Sequence, residues 1–232
     1  MTDTTLYSIY IVCMILGAIL FLYWGLADRR GVPRAEYLVA FLIPVWSATA
    51  YFALSTGQGT TEVGDTTHFA RYLDWVVTTP LLLFALASTG MYYIKKDRVI
   101  IGGLVLADIF MILTGLIADL STGSVRWVWY GLGVMAFLGI MWTLWGPLRR
   151  RAYSQGPALA AVYNKALSFL TILWIAYPVI WALGPIGIGV LDSFTEKLLF
   201  VVVPILSKVG FSIVDLSGLR SLREQPQELA FE

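Results

Sequence analysis

Lys208 sits in the middle of an otherwise uncharged run, Leu198-Leu-Phe-Val-Val-Val-Pro-Ile-Leu-Ser-Lys208-Val-Gly-Phe-Ser-Ile-Val214. A bare ammonium at the centre of a bilayer costs roughly 2.5–3.5 kcal/mol even on a lenient insertion scale, so its presence asks for a function. Snorkelling to the interface is the commoner fate of a membrane lysine, but uncharged residues flank Lys208 for at least six positions on either side. A desolvated lysine amine is a nucleophile suited to forming a Schiff base with a carbonyl compound. Lys208 is therefore the candidate anchor of a covalent cofactor.

A second concentration of chemistry is His68-Phe-Ala-Arg71-Tyr-Leu-Asp74-Trp75-Val-Val-Thr78-Thr79-Pro80. On a helix Arg71, Asp74 and Thr78 form one stripe, with Trp75 and Thr79 beside it. A carboxylate buried in a membrane needs a cation. Lys208 is the better partner, because a Schiff base holds its proton at neutral pH only beside an anion; a closed structural pair of Asp74 with Arg71 is the alternative. A third motif, Trp174, Tyr177, Pro178 and Trp181, puts aromatics on one helical face with a kinking proline. Such a stripe is ordinarily core, but together with Trp75 it makes an aromatic slot for a long conjugated ligand.

The elements that must position these residues are membrane helices. With 58% hydrophobic and 13% charged residues and nine Trp among 232, the composition excludes an ordinary soluble domain. Apolar runs of roughly 20 residues, the length that spans a bilayer, lie at about 6–27, 35–55, 68–90, 98–118, 124–147, 158–183 and 195–217. No removable signal peptide is expected, since the first run lacks a basic leader and is too long. The single Cys13 precludes an intramolecular disulfide. Of the 16 Lys and Arg, twelve (Arg29, Arg30, Arg34, Lys95, Lys96, Arg98, Arg149, Arg150, Arg151, Lys165, Arg220 and Arg223) fall on the side of the first, third and fifth connections and the C-terminus. The positive-inside rule then puts the C-terminus in the cytoplasm and the N-terminus outside.

A net charge of +1 gives no reason to expect nucleic acid. The one long connection, residues 57–67, is rich in Gly and Thr and predicts a small external hairpin. A single domain over 1–232 is expected, with a cytoplasmic tail, 218–232, too short for an enzymatic module. Neither an enzyme activity nor a metal site is expected. No internal repeat points to an inverted-repeat transporter.

Arg71-Tyr-Leu-Asp74-Trp-Val-Val-Thr78-Thr-Pro80, Trp174-Ile-Ala-Tyr177-Pro178-Val-Ile-Trp181 and Ser207-Lys208-Val-Gly-Phe, in that order on spans three, six and seven, closely resemble a microbial rhodopsin over about residues 6–217. The resemblance implies an all-α membrane protein, with seven transmembrane helices around all-trans retinal held on Lys208 as a protonated Schiff base. It makes Asp74 the counterion and primary proton acceptor. It assigns Trp75, Thr79, Met111, Gly115, Trp174, Tyr177, Pro178 and Trp181 to the retinal pocket, Tyr51 to support of the counterion, and Pro44 to the proline of the second span. Asp108 matches a hydrogen-bonded acid near the retinal ring, read as a neutral structural carboxyl. Trp46 and Ser47 are candidates to flank the Schiff base.

Two departures bear on function. Outward proton pumps of the family carry a second carboxylate one turn before the lysine, where this chain has Pro204, and an internal cytoplasmic donor where it has Ala85. Pro204, Asp215, Glu36 and His68 instead resemble Anabaena-type sensory rhodopsins and xenorhodopsins. Asp215, two turns past Lys208, is the candidate cytoplasmic acceptor; the alternative is a solvated helix-end carboxylate paired with Arg220 or Lys96. Glu196, on the outer side, is either part of a proton relay or an interfacial residue. His68 either caps the third helix or takes part in proton uptake. The resemblance implies a light-driven inward proton pump of the cell membrane, or else a photosensor read by a cytoplasmic transducer. Its partners are the lipid bilayer, protons and, by family habit, further copies of itself as a trimer.

Overall fold

The structure, a computed structural model, describes residues 2–63 and 65–222. Seven helices are long and apolar enough to cross a membrane: α1 (Asp3–Ala27), α2 (Arg34–Ser55), α3 (Phe69–Gly90), α4 (Arg98–Asp119), α5 (Ser124–Ser154), α6 (Pro157–Leu183) and α7 (Ser193–Ser221). Neighbours in sequence pack as neighbours in space, and α1 meets α7 to close the ring. α3 is the most buried of the seven and also packs against α6 and α7. Large apolar side chains such as Leu26, Leu106, Met135, Trp142 and Ile172 face outward, as a bundle solvated by lipid requires.

The helix starts follow local chemistry. Asp97 caps α4 by accepting from the amides of Val99 and Ile100 at 2.9 and 3.2 Å, and Asp192 caps α7 in the same way through Phe194 and Thr195 at 2.9 and 3.1 Å. Gly156, with φ of 113°, makes the tight reversal before α6, which opens with Pro157 in the first turn. The expected hairpin is present: β1 (Thr61–Val63) pairs antiparallel with β2 (Asp65–Thr67), Thr61 opposite Thr67.

Two helix boundaries differ from the sequence reading. α5 does not stop at residue 147. It passes Pro147 through a π turn, Leu144–Leu148, and runs on to Ser154. The π turn absorbs the missing proline N–H, and the hydroxyl of Tyr163 donates to the Leu144 carbonyl at 2.7 Å. Beyond it, Arg149 lies over the rings of Trp145 and Tyr153 and donates to Asn164 Oδ1 at 2.9 Å. Arg151 pairs with Asp97 at 2.7 Å, which fastens this extension to the start of α4 and holds the Asp97 carboxyl below its ordinary range. α7 likewise continues past 217 to Ser221, because Leu216 and Leu219 are buried against Phe21, Val32 and Tyr37. The first residues of the expected tail are therefore helical; Arg223 and the rest of it lie outside the described residues.

Candidate functional site

Lys208 and Asp74 are both fully buried and form an ion pair. The chain around Lys208 is a second π turn, Leu206–Gly210, a form often found at functional sites. Three hydroxyls complete the arrangement. Lys208 Nζ donates to Ser47 Oγ at 2.8 Å, and Ser47 Oγ stands 2.9 Å from Asp74 Oδ2. Tyr10, from α1, hydrogen bonds with Ser47 at 2.6 Å and accepts from Lys208 at 3.4 Å. Thr78 Oγ1 donates to the Asp74 carbonyl at 2.9 Å and reaches Oδ1 at 3.3 Å. A dry ion pair persists only when its remaining hydrogen-bonding capacity is filled, and these three hydroxyls fill it.

Asp74 is thus Lys208's partner, and the alternative pairing with Arg71 is not formed. Arg71 is buried with its guanidinium 4.9 Å from the centre of the Phe200 ring. Tyr51 also differs from its expected place. Its hydroxyl donates to the Phe200 carbonyl at 2.5 Å rather than to Asp74, while its ring stacks on Tyr10 at 3.6 Å. Pro204 explains this: with no N–H it leaves the carbonyl four residues back without a helical donor, and Tyr51 supplies one. Of the suggested Trp46 and Ser47 pair only Ser47 reaches the site; the Trp46 indole donates outward to the Leu73 carbonyl at 3.1 Å.

Beside this pair lies an apolar, aromatic-walled slot that is partly open to the surface of the bundle. All eight residues assigned to the pocket from sequence line it: Trp75, Thr79, Met111, Gly115, Trp174, Tyr177, Pro178 and Trp181. Sequence reasoning missed the wall that α5 contributes through Tyr130, Gly133 and Phe137, and missed Tyr72 and Phe200. Trp75 meets Tyr177 edge-on at 5.4 Å and Phe200 at 5.5 Å. The hydroxyls of Tyr177 and Ser207 lie 2.8 Å apart, which ties the wall to the turn carrying Lys208. Asp108 is buried, as expected, and accepts from Thr79 Oγ1 at 2.6 Å.

Toward the basic end, Asp215 is buried and accepts from Thr89 Oγ1 at 2.8 Å. It is not the helix-end carboxylate of the alternative reading. Arg220 lies instead by Asp28, 3.9 Å away, and Lys96 Nζ closes the end of α3 by donating to the carbonyls of Ser88 and Met91 at 2.7 and 2.8 Å. Glu36 is buried, and its Oε2 has no hydrogen-bond partner among the described residues.

At the opposite end Glu196, in the first turn of α7, is buried. It fits because residue 184 is glycine: a Cβ there would lie 2.5 Å from Glu196 Oε1. His68 occupies the N-cap of α3, but its side chain makes no capping hydrogen bond. Burial, then the charges of Arg71 and Lys197, push its pKa from 6.5 down to about 3, so the imidazole is neutral. Between pH 3 and 6.5 the unfolded chain then binds a proton that the folded chain does not, and stability from this group is full above 6.5 and lost as pH falls toward 3. His68→Gln should flatten that part of the pH dependence of thermal unfolding; an unchanged slope would contradict a neutral His68.

Residues 1–222 match the family described as bacteriorhodopsin-like protein. Archaerhodopsin-3 of Halorubrum sodomense is 38% identical over 87% of this chain and 79% of its own length. Sensory rhodopsin-2 of Natronomonas pharaonis is 30% identical over 97% of this chain and 92% of its own. The crystal structure of a rhodopsin from Coccomyxa subellipsoidea, described as a light-driven proton pump, matches with a TM-score of 0.85 at 27% identity, covering 93% of this chain and 96% of that one. This chain belongs to the bacteriorhodopsin-like microbial rhodopsins, seven-helix membrane proteins that bind retinal through a Schiff base on a lysine.

Proposed function

We propose that the protein is a light-driven inward proton pump, with retinal on Lys208, its basic end in the cytoplasm and its N-terminus outside. Asp215 carries this reading: a carboxyl buried in the basic half of the bundle, bonded to Thr89 and in no ion pair among the described residues. The position of an outward pump's internal donor is meanwhile the buried Ala85. The slot suits retinal, since its walls are aromatic and apolar and it borders the turn that carries a buried amine beside a carboxylate. Bound there, retinal supplies light absorption and an isomerisation that re-aims the proton held at the lysine nitrogen.

The chain's own residues do the rest. Asp74 balances the positive charge at Lys208 Nζ in the dark, with Ser47 and Thr78 fixing its two oxygens. Asp215 receives the proton, about 10 Å further along α7 by helical rise. Phe211, which falls between the two along α7, is buried and apolar. Glu36, in the same end of the bundle, offers a second carboxyl for release. Arg71, Glu196 and the neutral imidazole of His68 line the outer route through which Asp74 and Lys208 regain a proton. Ala85 cannot ionise, so no side chain there returns a proton from the cytoplasm.

The relative named sensory rhodopsin-2 favours a second reading, in which the same shuttle to Asp215 occurs without net transport and a transducer on the cytoplasmic face reads it. Either way the protein is a photoreceptor rather than an enzyme, and assembly as a homotrimer goes with the resemblance. Asp215→Asn separates the proton's destination from the pigment. It should abolish the inward photocurrent or slow cytoplasmic release at least about tenfold, as loss of a positioned proton-transfer group does, and leave the resting absorption nearly intact. Inward current at the unsubstituted rate would make Asp215 structural and leave release to Glu36.

A further inference from the structure

Asp119 is a buried carboxylate with no part in the proton route above. It is the last residue of α4, where the helix dipole already presents its negative end, and it is only 5% exposed. Both circumstances count against an acid at this position, so its contacts are informative. The indole Nε1 of Trp181 donates to Asp119 Oδ1 at 3.1 Å. Thr67, in the hairpin, donates to the Asp119 backbone carbonyl at 3.3 Å.

Trp181 is a wall of the slot. Its ring stacks on Tyr130 of α5 at 4.9 Å and 11° and meets Trp127 edge-on at 5.9 Å. Those ring contacts are apolar and tolerate rotation or sliding of the indole. A hydrogen bond from an indole N–H to a carboxylate is directional and stronger than one between neutral groups, so it selects one orientation. Asp119 ends α4, Tyr130 lies on α5 and Thr67 in the hairpin, so the contact closes the slot on the side that these elements share.

We infer that Asp119 is a positioning residue for the pocket: its carboxylate pins the Trp181 indole against Tyr130 and so shapes that side of the slot. The anchor rests on the reading of the slot as the retinal site. It also fastens that side of the pocket to the surface hairpin, because the residue that holds Trp181 by its side chain holds Thr67 by its backbone.

The test uses the full-length protein prepared without retinal, with two readouts: the indole N–H hydrogen-bond signature in ultraviolet resonance Raman, assigned by its loss in Trp181→Phe, and the rate of pigment formation after retinal is added. Asp119→Ala should weaken the Trp181 hydrogen-bond signature, leaving the Tyr72 hydroxyl as a neutral partner, and slow pigment formation about tenfold, the factor carried by one charge-assisted hydrogen bond. Asp119→Asn, which keeps an acceptor oxygen in place, should preserve the signature and stay within about twofold in rate. Asp119→Ala should add little to Trp181→Phe, since each removes one side of the same contact. If Asp119→Ala does not fold, Asp119→Leu, which fills the space without offering an acceptor, takes its place and should show the same weakening and the same slowing. Pigment formation at the unsubstituted rate in the folded variants overturns the inference and leaves the retinal reading standing. Failure of the unsubstituted protein to form any pigment overturns the retinal reading, and the inference with it.

Discussion

Lys208→Ala yields a seven-helix protein that stays colourless when retinal is added. The amine at 208 is fully buried beside Asp74, on the turn that Ser207 ties to Tyr177 of the slot wall, whereas Lys95 and Lys96 lie in a connection, Lys197 near the start of α7 and Lys165 on the exposed face of α6. No other lysine reaches the slot. The substitution also leaves the Asp74 carboxylate buried without its cation, which typically costs about 3–5 kcal/mol. Lys208→Ala combined with Asp74→Asn should therefore recover stability without recovering colour. Absorption spectra after retinal addition, with denaturant unfolding of the apoproteins, read both effects. Retained colour, with a borohydride-stable adduct on another residue, would refute the assignment.

Asp74→Asn should give a pigment shifted to the red. In the ground state the positive charge is concentrated near the lysine nitrogen, and excitation moves it away along the conjugated chain. An anion at the nitrogen stabilises the first state more than the second, so removing it narrows the gap. The rest of the shell cannot substitute, because Ser47, Tyr10 and Thr78 are neutral donors and acceptors and position 204 is proline. The apoprotein should lose up to about 3–5 kcal/mol, since a buried ammonium is left with hydroxyl and amide partners only. An unchanged absorption maximum would mean that another anion holds the site.

What could be read in advance from the sequence was whatever carried a penalty. A lysine and an aspartate in apolar runs cost enough to demand each other, and the structure pairs them. Tyr10, an equal member of that shell, escapes notice because a tyrosine in a membrane helix carries no comparable cost. Trp46 and Ser47 were joined as neighbours in sequence, but adjacent helical residues point about 100° apart, and only Ser47 faces inward. The slot could be read on α3, α4 and α6, where it is lined by residues that also match motifs. On α5 it is built from Tyr130, Gly133 and Phe137, which look like any lipid-facing span. The fifth span continues beyond 147 because a π turn carries the chain past Pro147, which residue types alone do not reveal. In the sequence Pro204 signals only a missing carboxylate, whereas its effect on the Phe200 carbonyl, and through it on Tyr51, depends on how α2 packs against α7.

The direction of transport turns on whether a buried acid on the basic side outcompetes Asp74 for the proton after light. Illumination of cells or vesicles that express the protein, with external pH recorded with and without a protonophore, measures the sign directly. Alkalinisation of the medium that the protonophore abolishes is the predicted result. Acidification would contradict inward pumping outright, and a complete photocycle with no pH change would replace the pump by the sensor.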